Sequence, residues 1–278
     1  MTNPSELSDR LRSWAPPWWL VFLIGLGLWA AAFGATYLTG DIITVPTVIL
    51  IGSFLIPVTA VVWYLDHDPS PVLSPRRIVV AFIIAAAIGI LAASLLENWL
   101  VGTGTIANLE VGLIEEFVKA ALVVLVAWRI RSFNTRDGMV LGAAVGFGFA
   151  ALESTGYALA SLFVVQGQHL YLSLDSVVVT EVVRALLAPF GHGMWTAIVG
   201  GVLFAAAGKG RVRLTWSVLA AYLLVSILHG AFDSVGGIRG YVIVSIIGLV
   251  PLVLLWIRAA ARGGVPWRRP AQPALGLS

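Results

Sequence analysis

The chain of 278 residues contains no cysteine and little charge, since only 11% of its residues are Asp, Glu, Lys or Arg. The absence of cysteine excludes a disulfide framework, a thiolate metal site and a cysteine nucleophile. Soluble domains carry about 25% charged residues, so an ordinary water-soluble globule is excluded as well. The formal charge of +3 is small and its basic residues form short clusters. We therefore expect no nucleic-acid partner.

Apolar residues instead make up 59% of the chain, and the mean hydropathy is +0.95. A helix needs about 20 apolar residues to cross a bilayer. Eight runs are long enough, numbered here as spans one to eight: about 18–38, 44–65, 78–100, 110–129, 138–164, 177–207, 214–236 and 241–260. The sequence therefore predicts an all-α, polytopic transmembrane helical bundle. We expect residues 1–278 to form one integral membrane domain, with tails at 1–17 and 263–278.

Basic residues indicate the orientation of this bundle in the membrane. Cytoplasmic loops of membrane proteins are enriched in Lys and Arg, and one set of alternate loops and tails holds 14 of the 17 basic residues. These are Arg10, Arg12, Arg76, Arg77, Arg129, Arg131, Arg136, Lys209, Arg211, Arg213, Arg258, Arg262, Arg268 and Arg269. We predict a multi-pass protein of the cell membrane with its N- and C-termini in the cytoplasm.

Several ionisable residues fall inside the predicted spans, where each costs several kcal/mol unless it is paired or hydrated. They are Glu115, Glu116, Lys119, Glu153, Glu181, Arg184, His192, His229 and Asp233. At 1.5 Å per residue from the cytoplasmic ends of spans four to seven, one such residue on each span lies about 20–24 Å above the cytoplasmic surface. These four are Glu116, Glu153, His192 and His229. We expect them to meet in the outer half of the bilayer.

The fourth span carries two adjacent glutamates. Glu115 and Lys119 are four residues apart and share a helix face, so we expect them to form an ion pair. Glu116 points about 100° away from Glu115 around the helix axis, so the contact with Lys119 does not satisfy it in the same way. A carboxylate in this setting can act as a general base that takes a proton from water. The sequence leaves open which of the two glutamates faces the cavity.

The sixth span is interrupted by Pro189 and Gly191, which predicts a broken helix beside a cavity, with His192 at the break. Glu153 on the fifth span either binds a metal or pairs with Arg184. Arg184 also lies three residues after Glu181, and we expect those two to pair with each other.

His229 and Asp233 on the seventh span are four residues apart on one helix face. Either both reach one cation, or the Asp233 carboxylate accepts a hydrogen bond from the His229 ring and fixes its orientation. Two histidines and a carboxylate resemble a catalytic zinc site that leaves one position for water. The resulting hypothesis is one zinc ion at a site formed by Glu153, His192, His229 and Asp233. Glu115 or Glu116 would activate the water.

Four short motifs in chain order carry a family resemblance. They are Glu115-Glu116-x-x-Lys119, Phe149-x-x-x-Glu153, His192 at a helix break and His229-x-x-x-Asp233. Together they resemble the PrsW-type intramembrane metalloproteases, within the superfamily of the prenyl-protein CAAX proteases and bacteriocin-processing enzymes. The resemblance covers about residues 110–235, which we interpret as the catalytic core.

The resemblance implies a metal-dependent endopeptidase. Glu115 or Glu116 would match the water-activating glutamate, and the metal-binding or catalytic positions would be Glu153, His192 and His229. The prenyl branch has Glu-Glu-x-x-x-Arg, a histidine at position 153 and usually asparagine at position 233, so the PrsW branch is favoured. Its members are associated with cleavage of membrane-anchored anti-sigma factors on the extracytoplasmic side. The implied partner is a single-span membrane protein substrate.

Two other functional classes are compatible with these residues. A proton- or cation-coupled transporter would use them as an ion-binding site, although the sequence shows no internal repeat. An inactive membrane scaffold of the same superfamily would keep the fold and the ion pairs without turnover. Stoichiometric zinc would favour the protease, whereas proton-coupled uptake by proteoliposomes would favour the transporter.

The predicted orientation is tested with reporter fusions. Because the arginine-rich loops and tails are expected in the cytoplasm, green fluorescent protein fused after residue 278 should fluoresce and alkaline phosphatase at that position should be inactive. Alkaline phosphatase fused after residue 104, between spans three and four, should be active. The reverse pattern would contradict the orientation.

Overall fold

A computed structural model describes residues 16–67, 70, 72–208 and 210–261 of the chain. Of the predicted tails, only residues 16 and 17 are among them. Some of the basic residues that indicate the orientation lie outside the described residues: Arg10, Arg12, Lys209, Arg262, Arg268 and Arg269.

Ten α-helices form eight long helical segments within these ranges. They are α1 Trp18–Thr39, α2 Val45–His67, α3 Pro75–Ile84, α4 Ile90–Leu100, α5 Ala107–Ala127, α6 Thr135–Ser161, α7 Leu174–Leu187, α8 His192–Ala206, α9 Trp216–Ser234 and α10 Gly237–Ala261. A 3-10 turn, Ile42–Thr44, precedes α2, and a π-helical turn, Ala85–Gly89, joins α3 to α4. The eight segments match the eight predicted spans.

Seven of these eight described segments are long and apolar enough to cross a membrane, which confirms the predicted polytopic helical bundle. The exception is α5, because it carries Glu115, Glu116 and Lys119 besides Glu110. The same three residues place two carboxylates and an ammonium inside the bundle.

One element departs from the all-α prediction. The fifth span was expected to continue to residue 164, but α6 ends at Ser161 and is followed by an antiparallel hairpin of β1, Phe163–Gln166, and β2, His169–Leu172. Aromatic and β-branched residues in β1 favour an extended backbone. Gly167 adopts a φ of 63°, which a two-residue hairpin turn requires.

The sixth span is broken as the sequence predicts. The helix α7 ends at Leu187, a 3-10 turn covers Ala188–Phe190, and α8 begins at His192. Proline has no backbone N–H to continue the helical ladder, and Pro189 lies within the turn. The break therefore places His192 at the start of a new helix.

The helices α6 and α8 are in backbone contact. Gly138, Gly142 and Gly146 follow one another at four-residue spacing along α6, and a Cβ on any of them would overlap a carbonyl oxygen of α8. The carbonyls belong to Gly200, Thr196 and His192, in that order. Small residues at this spacing let helix backbones approach closely within a membrane. His192 is thus held directly against α6, the helix that carries Glu153.

A second close contact joins α5 to α9. A Cβ on Gly112 would lie 2.6 Å from the carbonyl oxygen of Ser226, and one on Gly230 would lie 2.7 Å from the Cα of Leu109. These glycines flank the stretches that carry Glu115 and His229. All residues from 191 to 201 are buried, so the start of α8 lies at the centre of the bundle.

The glycine contact between α6 and α8 is tested with the smallest possible side chain. Gly142→Ala should lower the free energy of unfolding by about 1–3 kcal/mol, because the added methyl group overlaps the Thr196 carbonyl. Gly27→Ala in α1 is the matched control, since no atom lies within 4 Å of its Cβ position. Stability is measured by unfolding in mixed detergent micelles, and equal stability of the two variants would contradict the packing described.

Candidate metal centre

Three buried side chains from three helices bring ligand atoms together near the centre of the bundle. Oε2 of Glu115 lies 3.8 Å from Nδ1 of His192 and 3.6 Å from Nε2 of His229. All three ligand atoms lie within 4.8 Å of one another. We refer to Glu115, His192 and His229 as the ligand group.

The spacing and chemistry of the ligand group fit a zinc-type ion. Zinc–ligand bonds of about 2.0–2.2 Å in tetrahedral geometry place ligand atoms about 3.4 Å apart. Both measured separations from Glu115 are within a few tenths of an ångström of that value. Two imidazoles and one carboxylate also form a common donor set of catalytic zinc sites.

The two neighbours of the His192 ring fix its tautomer. Nε2 lies 2.8 Å from Oε2 of Glu153, and Nδ1 lies 2.6 Å from Nζ of Lys119. A carboxylate only accepts hydrogen bonds and an ammonium only donates them. The Nε2–H group therefore donates to Glu153, and the lone pair of Nδ1, on the side of the ligand group, accepts from Lys119.

His229 is oriented from its other nitrogen. Its Nδ1–H group donates to Oε1 of Glu116 at 3.0 Å. In a neutral ring Nε2 then carries the lone pair, and it faces carboxylate oxygens of Asp233 at 3.3 Å and Glu115 at 3.6 Å. Acceptor atoms this close to one another repel, and a cation bound between them would remove that repulsion.

Lys119 is the positive charge buried within this cluster. Its Nζ donates to Glu115 at 3.0 Å, to Glu116 at 2.8 Å and to His192 at 2.6 Å, and it lies over the Phe149 ring. The predicted Glu115–Lys119 pair is present. Glu116 shares the same lysine, contrary to expectation, because the long lysine side chain reaches carboxylates three and four residues back along α5.

The two adjacent glutamates of α5, Glu115 and Glu116, differ in what surrounds them. Glu115 belongs to the ligand group, whereas Glu116 lies behind it against His229 and is 1% exposed. Oε2 of Glu116 is buried and has no hydrogen-bond partner among the described residues. That oxygen is a free acceptor within the cluster.

Arg184 does not pair with Glu181, so that expectation was wrong. Nη2 of Arg184 donates to Oε2 of Glu153 at 2.7 Å, whereas Glu181 accepts from Nε1 of Trp29 at 2.8 Å. The reason is tertiary, since α7 packs against α2 on one side and α6 on the other. Arg184 binds α6, whereas Glu181 lies over Gly52 of α2 and binds Trp29 of α1. The weighed alternative of a Glu153–Arg184 pair is therefore the one observed.

A cavity of about 380 Å³ adjoins the cluster. The polar residues that line it include Asn108, Glu153, Arg184, His192, Asp233 and Tyr241. Asn108 and Tyr241 lie close to the loops at 101–106 and 235–236, at the opposite ends of their helices from the arginine-bearing segments. The cavity therefore lies nearer the side of the bundle that carries few basic residues.

Sequence reasoning missed Glu97 on α4. This carboxylate is close enough to Glu115, Glu153 and Lys119 to interact electrostatically with each, and its Oε1 is buried. The available signal was an acid within the apolar run 78–100, which was treated as a span end. Even without Glu97, the described cluster holds more carboxylates than fixed cations: Glu115, Glu116, Glu153 and Asp233 against Lys119 and Arg184. The excess of negative charge favours a divalent cation.

Comparisons with known proteins were made for the whole chain. A model of the PrsW family intramembrane metalloprotease matches residues 74–257. A protein named Protease PrsW from Halalkalibacterium halodurans is 30% identical over 125 residues, which cover 45% of this chain and 51% of that relative. The Protease PrsW of Geobacillus kaustophilus is 32% identical over 128 residues, covering 46% and 50%, respectively.

A third relative, the Protease PrsW of Oceanobacillus iheyensis, is 26% identical over 160 residues, which cover 56% of this chain and 65% of that relative. The chain thus spans between half and two thirds of the length of these curated relatives. No solved structure matches it significantly.

The role of Lys119 in neutralising the cluster is tested by its removal. In chelator-treated protein, Lys119→Met should lower the free energy of unfolding by about 3–5 kcal/mol, because buried carboxylates lose their counter-charge. The double variant Lys119→Met, Glu115→Gln should recover part of the lost stability, because one buried carboxylate is removed together with the lysine. Arg239→Met, at an exposed position on α10, is the control for loss of one positive charge. If the effects of Lys119→Met and Glu115→Gln on the free energy of unfolding simply add, the two residues do not pair.

Proposed function

Since the chain belongs to the PrsW family of intramembrane metalloproteases, we propose that it is an endopeptidase that hydrolyses a peptide bond of a membrane protein with the help of a bound zinc ion. The observation that carries this proposal is the convergence of Glu115, His192 and His229 within one buried group. The excess of carboxylates over fixed cations and the adjoining cavity support this proposal.

The ligand group would hold the metal through Oε2 of Glu115, Nδ1 of His192 and Nε2 of His229, and the Lys119 ammonium, which donates to the first two of these atoms in this structure, would have to give them up to the ion. When bound, zinc polarises the substrate carbonyl and makes a coordinated water more acidic. This assignment differs from the one expected from the sequence, because Glu115 replaces Glu153 as the carboxylate that faces both imidazoles.

Glu116 is the proposed general base. Lys119 and His229 hold its Oε1, which leaves Oε2 as the oxygen that can accept a proton from the attacking water. The water oxygen bonds to the carbonyl carbon, the C–N bond breaks, and the proton on Glu116 passes to the leaving nitrogen. The Lys119 ammonium donates to Glu115, Glu116 and His192, so it would stabilise negative charge on the substrate oxygen through its electrostatic field and not by a hydrogen bond.

Glu153 is proposed to act through His192, and Asp233 to act beside the metal. Glu153 accepts from Nε2–H of His192 on the side away from the ligand group. Asp233 lies 3.3 Å from the metal-facing nitrogen of His229 and lines the cavity, so it is placed either to bind the metal or to hold water beside it. Carboxylates bonded to metal-binding histidines commonly fix the ring orientation.

The substrate would be a membrane-anchored, single-span protein of the anti-sigma-factor type, cut near the extracytoplasmic face. The support is positional, since the cavity lies toward the loops at 101–106 and 235–236. With both termini cytoplasmic, as the basic residues predict, these loops are extracytoplasmic.

The proposal predicts separable effects of two substitutions. Purified wild-type protein should contain about one zinc per chain by elemental analysis, as the single ligand group implies. Glu116→Gln should retain zinc but lose cleavage by at least about 100-fold, the scale of a general-base contribution. His229→Ala should lose both. Glu181→Gln, outside the cluster, is the control for loss of a buried carboxylate.

Cleavage is read out by membrane proteomics of cells expressing each form. Extracytoplasmic fragments of single-span proteins should appear with wild-type protein and Glu181→Gln and be absent with Glu116→Gln. Fragments that persist with both Glu116→Gln and His229→Ala would contradict the proposed enzyme.

A further inference from the structure

Arg184 is the one fixed cation of the cluster that the proposed chemistry leaves unused. It lies on α7, before the helix break, and its side chain is 24% exposed, at the wall of the cavity. An arginine within a membrane bundle is costly unless it has a specific partner. Its contacts therefore indicate what it does.

The guanidinium is held from three directions, all by α6. Nη2 donates to Glu153 at 2.7 Å, Nε donates to Oγ of Ser154 at 2.8 Å, and the Tyr157 ring lies 4.2 Å from the central carbon. Two directed hydrogen bonds from one planar group define its position more tightly than a single ion pair would.

Arg184 and His192 bind the same atom. Oε2 of Glu153 accepts from Nη2 of Arg184 and from Nε2–H of His192, at 2.7 and 2.8 Å. On a continuous helix, residues eight positions apart are about 12 Å apart along the axis. The break between α7 and α8 and the long arginine side chain together let both groups reach one oxygen.

This shared contact has a consequence for the ligand group. Without a counter-charge, the Glu153 carboxylate would be free to leave His192 and to compete for a cation itself. With Arg184 in place, Glu153 stays as the acceptor of Nε2–H, and Nδ1 keeps its lone pair on the side of Glu115 and Lys119.

We propose that Arg184 is a positioning residue, which holds the Glu153 carboxylate against Nε2 of His192 so that Nδ1 faces the metal. The inference rests on the proposed metal site and extends it by one residue that none of the four sequence motifs contains. It predicts an effect on metal binding itself and not only on turnover.

The test measures zinc affinity of purified protein in detergent by competition with a chelator. Arg184→Met should weaken zinc binding by about 10- to 100-fold, the usual effect of losing a group that orients a metal-binding histidine. Arg184→Lys should restore part of the loss, because an ammonium can still pair with Glu153. Arg239→Met, an exposed arginine on α10, should bind zinc as the wild type does.

A second measurement separates positioning from general destabilisation. The visible absorption of the cobalt-substituted protein reports coordination geometry, and it should change in Arg184→Met but not in Arg239→Met. If Arg184→Met does not yield monodisperse protein, Ser154→Ala provides the test. Loss of its hydrogen bond to Nε should weaken zinc binding by about two- to tenfold.

The outcomes distinguish this inference from the function on which it rests. Wild-type protein that binds no zinc would overturn both. Wild-type protein that binds zinc, with Arg184→Met or Ser154→Ala unchanged in affinity and cobalt spectrum, would overturn only the role of Arg184. Weakened binding with a changed spectrum, partly recovered in Arg184→Lys, would support it.

Discussion

A charge enclosed in a membrane protein has to find its counter-charge within the protein, because the surrounding hydrocarbon offers none. Lys119 meets this requirement for α5, since its fully buried ammonium contacts Glu115 and Glu116 of its own helix and the histidine at the start of α8. α8 reaches this cation through His192 and α6 through the Phe149 ring, whereas α9 is joined to it through Glu116. The cluster still holds more carboxylates than fixed cations. A bound metal ion would supply the missing positive charge, and in this way the packing of the bundle leads to the proposed chemistry.

The glycine contacts make that arrangement geometrically possible. Bonds between side chains of α5, α6, α8 and α9 require these helices to come closer than ordinary side chains allow. Gly142 and Gly146 bring α8 against α6, and Gly112 brings α9 against α5. The residues that carry chemistry and the residues that permit close approach thus alternate along the same helices.

The sequence predicted the spans well because apolar run length is set by the bilayer and not by tertiary contacts. It also predicted which helices meet, because residues at equal height on neighbouring helices can touch. The sequence could not predict the partners of Glu181 and Arg184, because Glu181 binds Trp29 of α1 and Arg184 binds Glu153 of α6 in spite of their three-residue spacing on α7. Glu97 was missed for a related reason: it lies 20 residues after Arg77, or about 30 Å by helical rise, where a span is expected to end.

The hydrogen bond between Trp29 and Glu181 lies away from the metal centre, but it helps to orient α1 within the bundle. Apolar residues cover α1 on every side, so burial alone gives no preferred rotation about its axis. The indole N–H of Trp29 donates to the buried Glu181 carboxylate, which lies over Gly52 of α2. This bond favours one rotation of α1 about its axis. Together with the Thr36–Thr44 contact and the bond from the Trp18 backbone N–H to Asp66, this bond fixes the rotation of a helix that its apolar surface leaves undetermined.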